Sequence, residues 1–191
     1  MELGIKLQGV PFAEARLATV NRSIEPVLRG ALNTTATSAR RERYTKPLRV
    51  ALPSRRLNRR LVIKRARRGR MDARIIPSSS GIAVTEYSRW GFDPIDRTRA
   101  RVWVMGPSGK KIAAGFVNPS GRRQAPLGTR SEKRGAKRTY TYQRALGEAL
   151  APSAAFWFKQ LSGGATVRWV NGFLQREFER RIRLEIAKGV R

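Results

Sequence analysis

A chain of 191 residues with 40% hydrophobic side chains can bury the core of one ordinary domain, which excludes wholesale disorder and leaves little room for two independent domains. Its 41 lysines and arginines stand against 13 acids, a formal charge of +28, so polyanions or acidic surfaces are the expected neighbours. Cysteine and histidine are absent, which removes disulfides, thiolate and imidazole metal sites, cysteine nucleophiles and every histidine-dependent triad.

The opening ELGIKLQGV alternates Leu3, Ile5 and Leu7 with polar neighbours, the period of a half-buried strand. It has no apolar core of signal-peptide length, and no run approaches about 18 apolar residues, so a soluble product made in a cytoplasm is expected. Pro11 suits the first turn of a helix. Apolar side chains at Leu17, Val20, Ile24, Val27, Leu28, Ala31 and Leu32 then mark an amphipathic helical region. Pro26 interrupts that region, and Ser23 is placed to cap a second helix restarting near Glu25. The second helix runs on through GALNTTATSARRERY. Its small residues Ala31, Thr35, Ala36 and Ala39 invite a close neighbour, expected to be the protein's own sheet, and Arg40, Arg41 and Arg43 complement the helix dipole. Pro47 and Pro53 predict a short extended connector.

The next stretch, from Arg55 to Arg70, holds nine lysines and arginines and no acid. Ser54 is a good cap for a short helix over RRLNRRLVI, in which Leu57 and Leu61 lie one turn apart. After it, Ile63 and Ala73 with Ile75 flank Gly69, a pattern that predicts a strand, a turn and a returning strand. The basic run therefore reads as folded structure with basic edges. IAVTEY predicts a strand, and SRWGFDPIDRTRA an ordered loop anchored by Trp90 and Phe92. RVWVMGPSGKKIAAGFV predicts a hairpin about its GPSG turn. The basic segment at about 119–138 is read either as a flexible loop or as a weak strand pair with a mobile tip near Lys133 to Lys137. TYTYQRAL predicts a strand, and PSAAFWFKQL a short helix after Pro152. From Ala165 onward Val167, Val170, Leu174, Phe178, Ile182 and Ile186 draw the stripe of a long helix. Together these elements predict an α+β fold, a single domain over 1–191 with N-terminal helices and a long C-terminal helix packed on a mainly antiparallel sheet.

Catalytic groupings are sparse. Asp93 and Asp96 lie in a turn-like DPID, where capping is the simplest role, and Glu177 and Glu179 lie among arginines at helical spacing. GPSGKK lacks the spacing of a phosphate loop and sits in a hairpin. No catalytic, cofactor or metal-binding residue emerges, and no enzyme is expected. The candidate contacts to DNA or an acidic partner are Arg55, Arg56, Arg59, Arg60, Lys64, Arg65, Arg67, Arg68 and Arg70, with Lys133, Arg134, Lys137 and Arg138 as a second cluster.

In the order of its parts, the small-residue helix ALNTTATSARRERY, the basic LNRRLVIKRARRGRMDARI, the later AAGFV and a basic C-terminal helix, the chain resembles the minor tail protein Z family of long-tailed bacteriophages. The resemblance covers most of the chain. It implies an oligomeric, non-catalytic virion protein at the head-proximal end of the tail, present in the host cytoplasm during assembly, that completes the tail and helps join it to the head. Its implied partners are the tail terminator, the tail tube and the tape measure protein, close to the path of the DNA, with no membrane and no cofactor. The second reading is a non-specific nucleic-acid-binding protein, chromosomal or ribosome-associated.

Overall fold

A computed structural model of the chain describes residues 7–19, 23–128, 130–134, 137–141 and 147–189, with 130–134 and 137–141 described by their backbone pairing alone. It has the α+β class expected, helices with antiparallel sheets and a long C-terminal helix. In chain order the elements are α1 (Val10–Ala18), α2 (Ile24–Ala39), a π-helical segment (Arg40–Thr45), α3 (Lys46–Leu48), α4 (Ser54–Arg60), β1 (Leu61–Lys64) and β2 (Arg74–Pro77). There follow β3 (Ile82–Ala83), β4 (Trp90–Pro94), β5 (Ala100–Gly106), β6 (Gly109–Val117), β7 (Arg130–Arg134), β8 (Lys137–Thr141), β9 (Leu150–Ala151), α5 (Ala154–Leu161) and α6 (Gly164–Gly189). The chain divides into two compact units, one of Met1–Lys46, Leu61–Pro77 and Phe158–Arg191, the other of Pro47–Arg60 and Ser78–Trp157.

The first unit is built on three helices. Gly9 precedes α1 and a proline stands in its first turn. At α2 the Ser23 hydroxyl accepts from the Glu25 N–H (3.3 Å), so Pro26 falls in the first turn, where a missing N–H costs nothing. Both helices pack on α6. Ala13, Leu17, Val27, Ala31, Leu174 and Phe178 form the buried cluster, with Ile182 and Ile186 against its edge. The small residues of α2 thus meet a helix, α6, where the sequence suggested a sheet: Ala31 packs in one cluster with Leu174 and Phe178. The strand expected over Leu3 to Leu7 lies largely outside the described residues.

One buried acid ties α6 to α2. Glu177 accepts from Arg180 (2.8 and 2.9 Å) and from Arg181 Nε (2.7 Å), while Arg181 Nη2 donates to Thr34 Oγ1 (2.9 Å). Gly30 leaves the room that this guanidinium occupies on α2. The bonds from Arg180, and then those from Arg181, hold the Glu177 carboxyl below the usual range against the opposing effect of burial. A carboxylate whose folded pKa is depressed contributes stability that is complete above its unfolded pKa, about 4.3, and lost as pH falls through the folded value. Denaturant titrations from neutral pH down through the carboxylate range should therefore show wild type losing stability more steeply than Glu177→Gln; identical slopes would contradict the assignment.

The π-helical segment continues α2 through the RRERY stretch, as the sequence suggested, though with π and not α geometry, and it turns Arg43 and Tyr44 to structural work. Tyr44 stacks on Phe158 (4.2 Å between centroids) and bonds Ser162 Oγ at 3.0 Å. The Ser162 proton goes to the Phe158 carbonyl (2.7 Å), so Tyr44 is the donor. Arg43 donates to Thr166 Oγ1 (3.3 and 3.4 Å), whose own proton goes to the Leu161 carbonyl (2.6 Å). Carbonyls at the end of α5 are satisfied in this way. Pro47 lies in α3, so the connector that follows is helical and then turn-like, and not extended as expected. The ladder has already left the α pattern in the π segment, which blunts proline's usual cost.

The second unit carries a five-stranded antiparallel sheet in the order β3-β9-β6-β5-β4, and β7 pairs with β8. The expected hairpin is β5 and β6, turning between Gly106 and Gly109. Ala100, Val102 and Val104 face the core, while Arg101 and Trp103 alternate outward. Two expectations change here. Trp90 to Pro94 is a strand, since Gly91 leaves room for the Trp103 ring across the pair and Asp93 accepts from Trp103 Nε1 (3.0 Å). Of IAVTEY, just Ile82 and Ala83 are strand, and Val84 to Glu86 form a 3₁₀ turn that aims Tyr87 at the Pro152 carbonyl and the Trp157 indole N–H. Burial, outweighing the bond from Trp157, pushes the Tyr87 phenol up to about 12.

Candidate functional site

The cations singled out in the sequence fall into three settings. Arg55, Arg56, Arg59 and Arg60 lie on α4 of the second unit. Two of them are matched by an acid, because Glu86 takes Arg56 on one oxygen (2.5 Å) and Arg60 on the other (3.3 Å). Lys133, Arg134, Lys137 and Arg138 lie on β7 and β8, with Lys133 in register with Arg138 and Arg134 with Lys137. In the segment read as a loop or a weak strand pair, Arg130–Arg134 pairs with Lys137–Thr141, while the tip between them lies outside the described residues.

The third setting is a mounted hairpin in the first unit. β1 and β2 pair antiparallel from Leu61 with Pro77 to Lys64 with Arg74. Beyond them Arg67 and Arg70 exchange both backbone hydrogen bonds at 3.0 Å. Arg68 and Gly69 make the turn, and Gly69 at φ 74 supplies the left-handed residue that it needs. Leu61 and Ala66 are buried, whereas Lys64, Arg65, Arg67, Arg68 and Arg70 are exposed. Asp72 neutralises one side, pairing Arg70 (2.9 Å) and Arg74 (2.6 Å), and these contacts, led by the bond from Arg70, lower its pKa. Among the described residues no acid pairs with Lys64, Arg65, Arg67 or Arg68.

Helix α2 and the π segment that continues it hold this hairpin at one point each. The Asn33 amide donates to the Ala66 carbonyl (3.1 Å) and accepts the Ala66 N–H (2.8 Å), so the side chain acts as one more strand residue. Arg40 donates to the Leu61 carbonyl (3.3 Å) at the hairpin's base. Sequence reasoning had passed over Asn33, and its signal is modest: a lone amide, able both to donate and to accept, among the small residues of GALNTTATSA. Asn33→Ala should leave two partly buried backbone groups unpaired, costing about 1 to 3 kcal/mol locally. Amide exchange at Ala66 and Arg67 should accelerate while that of Leu174 stays protected.

Asp96, Asp93 and Glu179 have structural partners. Asp96 caps its turn, accepting from the Thr98 and Arg99 backbone N–H groups (2.8 Å each) and from Arg99 Nε (2.8 Å). The bond from the Thr98 N–H, followed by that from Arg99 Nε, lowers its pKa to about 2. Asp93 receives Lys110 (2.6 Å) and the Trp103 indole, and Lys110 also lies over the Trp103 ring. A cleft between α1 and α6, walled by Phe12, Ile182 and Ile186, holds Glu179, which accepts from Gln175 (2.9 Å). What the arrangement offers is a fixed cluster of guanidinium and ammonium groups, suited to bind a polyanion. No helix among the described residues is long and apolar enough to cross a membrane. No family model, curated protein or solved structure matches the chain.

Proposed function

We propose that this chain is a structural protein of a bacteriophage virion, acting at the head-proximal end of the tail to complete the tail and help join it to the head. The observation that carries this reading is the chain order of the pieces that resemble the minor tail protein Z family. A small-residue helix precedes a basic hairpin, AAGFV follows in a sheet, and a basic helix comes last. The architecture gives those pieces a common logic, since α2 both packs on α6 and holds the hairpin. Work of this kind is assembly, with no chemistry to perform and no cofactor to hold. Its partners are neighbouring copies and other tail proteins, and the exposed cations dock on acidic surfaces or on DNA.

Loss of the gene should yield heads and tails that accumulate separately in electron micrographs of infected cells, with particles restored when the gene is supplied in trans. Intact particles at normal yield without it would overturn the reading. The alternative, a non-specific nucleic-acid-binding protein of the cell, draws on the unpaired cations of the hairpin. It predicts that the protein purifies with chromosomal DNA or ribosomes and is missing from particles.

A further inference from the structure

We infer that the hairpin from Lys64 to Arg70 is a clamp for the phosphate backbone of double-helical nucleic acid, presented in a fixed pose by Asn33. This rests on reading the chain as a binding protein, and it does not depend on a place in a tail.

The composition of the exposed tip selects the ligand. A protein partner is normally gripped by aromatic and apolar anchors at the centre of an interface, with charges depleted there. From Lys64 to Arg70 the side chains are Lys, Arg, Ala, Arg, Arg, Gly and Arg, and the one apolar member, Ala66, is buried against α2. Nothing exposed on the tip can serve as an apolar anchor. Single-stranded nucleic acid is usually held by bases stacked on aromatic side chains, and the tip has no aromatic residue. What is left at the tip is an array of cations; the ribbon's exposed apolar pair, Val62 and Ile76, lies nearer its base, and the major groove of a duplex admits a two-stranded ribbon. Cations that meet phosphates give affinity without reading sequence.

The mounting sharpens the argument. Long basic side chains on a free loop would lose much conformational entropy on binding. Here the backbone beneath them is already set by the paired strands, the bonds between Arg67 and Arg70, and the Asn33 clamp on Ala66. Asp72 engages Arg70 and Arg74, which leaves Lys64, Arg65, Arg67 and Arg68 to face outward. Asn33 is therefore a positioning residue, and the four unpaired cations are the contacts.

The test is fluorescence anisotropy of the full chain with a short labelled duplex, repeated over a range of salt. Each phosphate contact contributes about 0.9 to the slope of log affinity against log salt. Arg67→Ala with Arg68→Ala should lower that slope by about 2. Arg122→Ala with Arg123→Ala removes the same charge from an exposed turn elsewhere and should leave the slope as it is. Asn33→Ala changes no charge, yet it should weaken duplex binding several-fold and reduce the slope; Asn33→Gln, with the same amide one carbon farther out, should restore part of it. Circular dichroism melts identify any variant whose fold is lost, and Arg68→Gln then replaces the double variant. Equal slopes for the two double variants would overturn the inference, as would tighter binding to single-stranded oligothymidine or to polyglutamate than to the duplex. None of these outcomes touches the gene-loss test, so the two readings fail separately.

Discussion

Gly115→Ala is expected to destabilise the second unit by about 3 kcal/mol or more and to lower its Tm by roughly 10 °C. Two constraints meet at that residue. Its φ of 144 lies in a region that side chains rarely adopt, and a Cβ would overlap the Leu127 carbonyl oxygen and the Ala149 methyl. The overlap cannot be relieved by rotating a side chain, because the oxygen belongs to backbone that is itself paired. The Leu127 carbonyl accepts the Phe116 N–H (2.9 Å), and the Leu127 N–H donates to the Phe116 carbonyl (2.8 Å). Gly115 also sits where the register of β5 against β6 shifts, beside Ala114, the residue that pairs with Leu150 of β9. A thermal melt that moved by a degree or two would mean that the segment around Leu127 is held by something other than this close approach.

Phe178→Ala should cost the first unit about 3 to 5 kcal/mol. The ring is 1% exposed and packs in one cluster with Ala13, Leu17, Val27, Ala31 and Leu174, so its loss opens a cavity facing both α1 and α2. Phe12, on the same unit but 71% exposed, is the control, and its alanine variant should change stability by less than about 0.5 kcal/mol. Denaturant melts of the two variants should therefore separate clearly, and similar losses would contradict the placement of the core.

Much of this organisation could be read in the sequence where the physics is local. The stripe Val170, Leu174, Phe178 on α6 needs nothing beyond helical spacing, and Ser23 and Pro26 mark the start of α2 by capping chemistry alone. Gly69 between alternating residues likewise announces the basic hairpin. The strand at Trp90 to Pro94 was hidden because Gly91, Asp93 and Pro94 are poor strand formers. Its partners, Val102 and Trp103, supply what its own sequence lacks. Pro47 misled for a related reason, since its effect depends on a π segment that residue spacing does not reveal.

The candidate site divides along the same line. Its cations were plain in the composition, but which of them are spoken for was not. Glu86 lies far along the chain from Arg56 and Arg60, and Asn33 just as far from Ala66. Only the fold separates a matched arginine on α4 from an unmatched one on the hairpin, and only the fold shows that the hairpin is mounted on a helix.

The most direct test of the proposed tail role is mass spectrometry of virus-like particles purified from cells that express this gene, combined with antibody labelling in the electron microscope. The protein should be present at a few copies per particle, with label at the junction of head and tail. Its absence from particles, with the protein recovered instead on the DNA or ribosomes of the cell, would contradict the account.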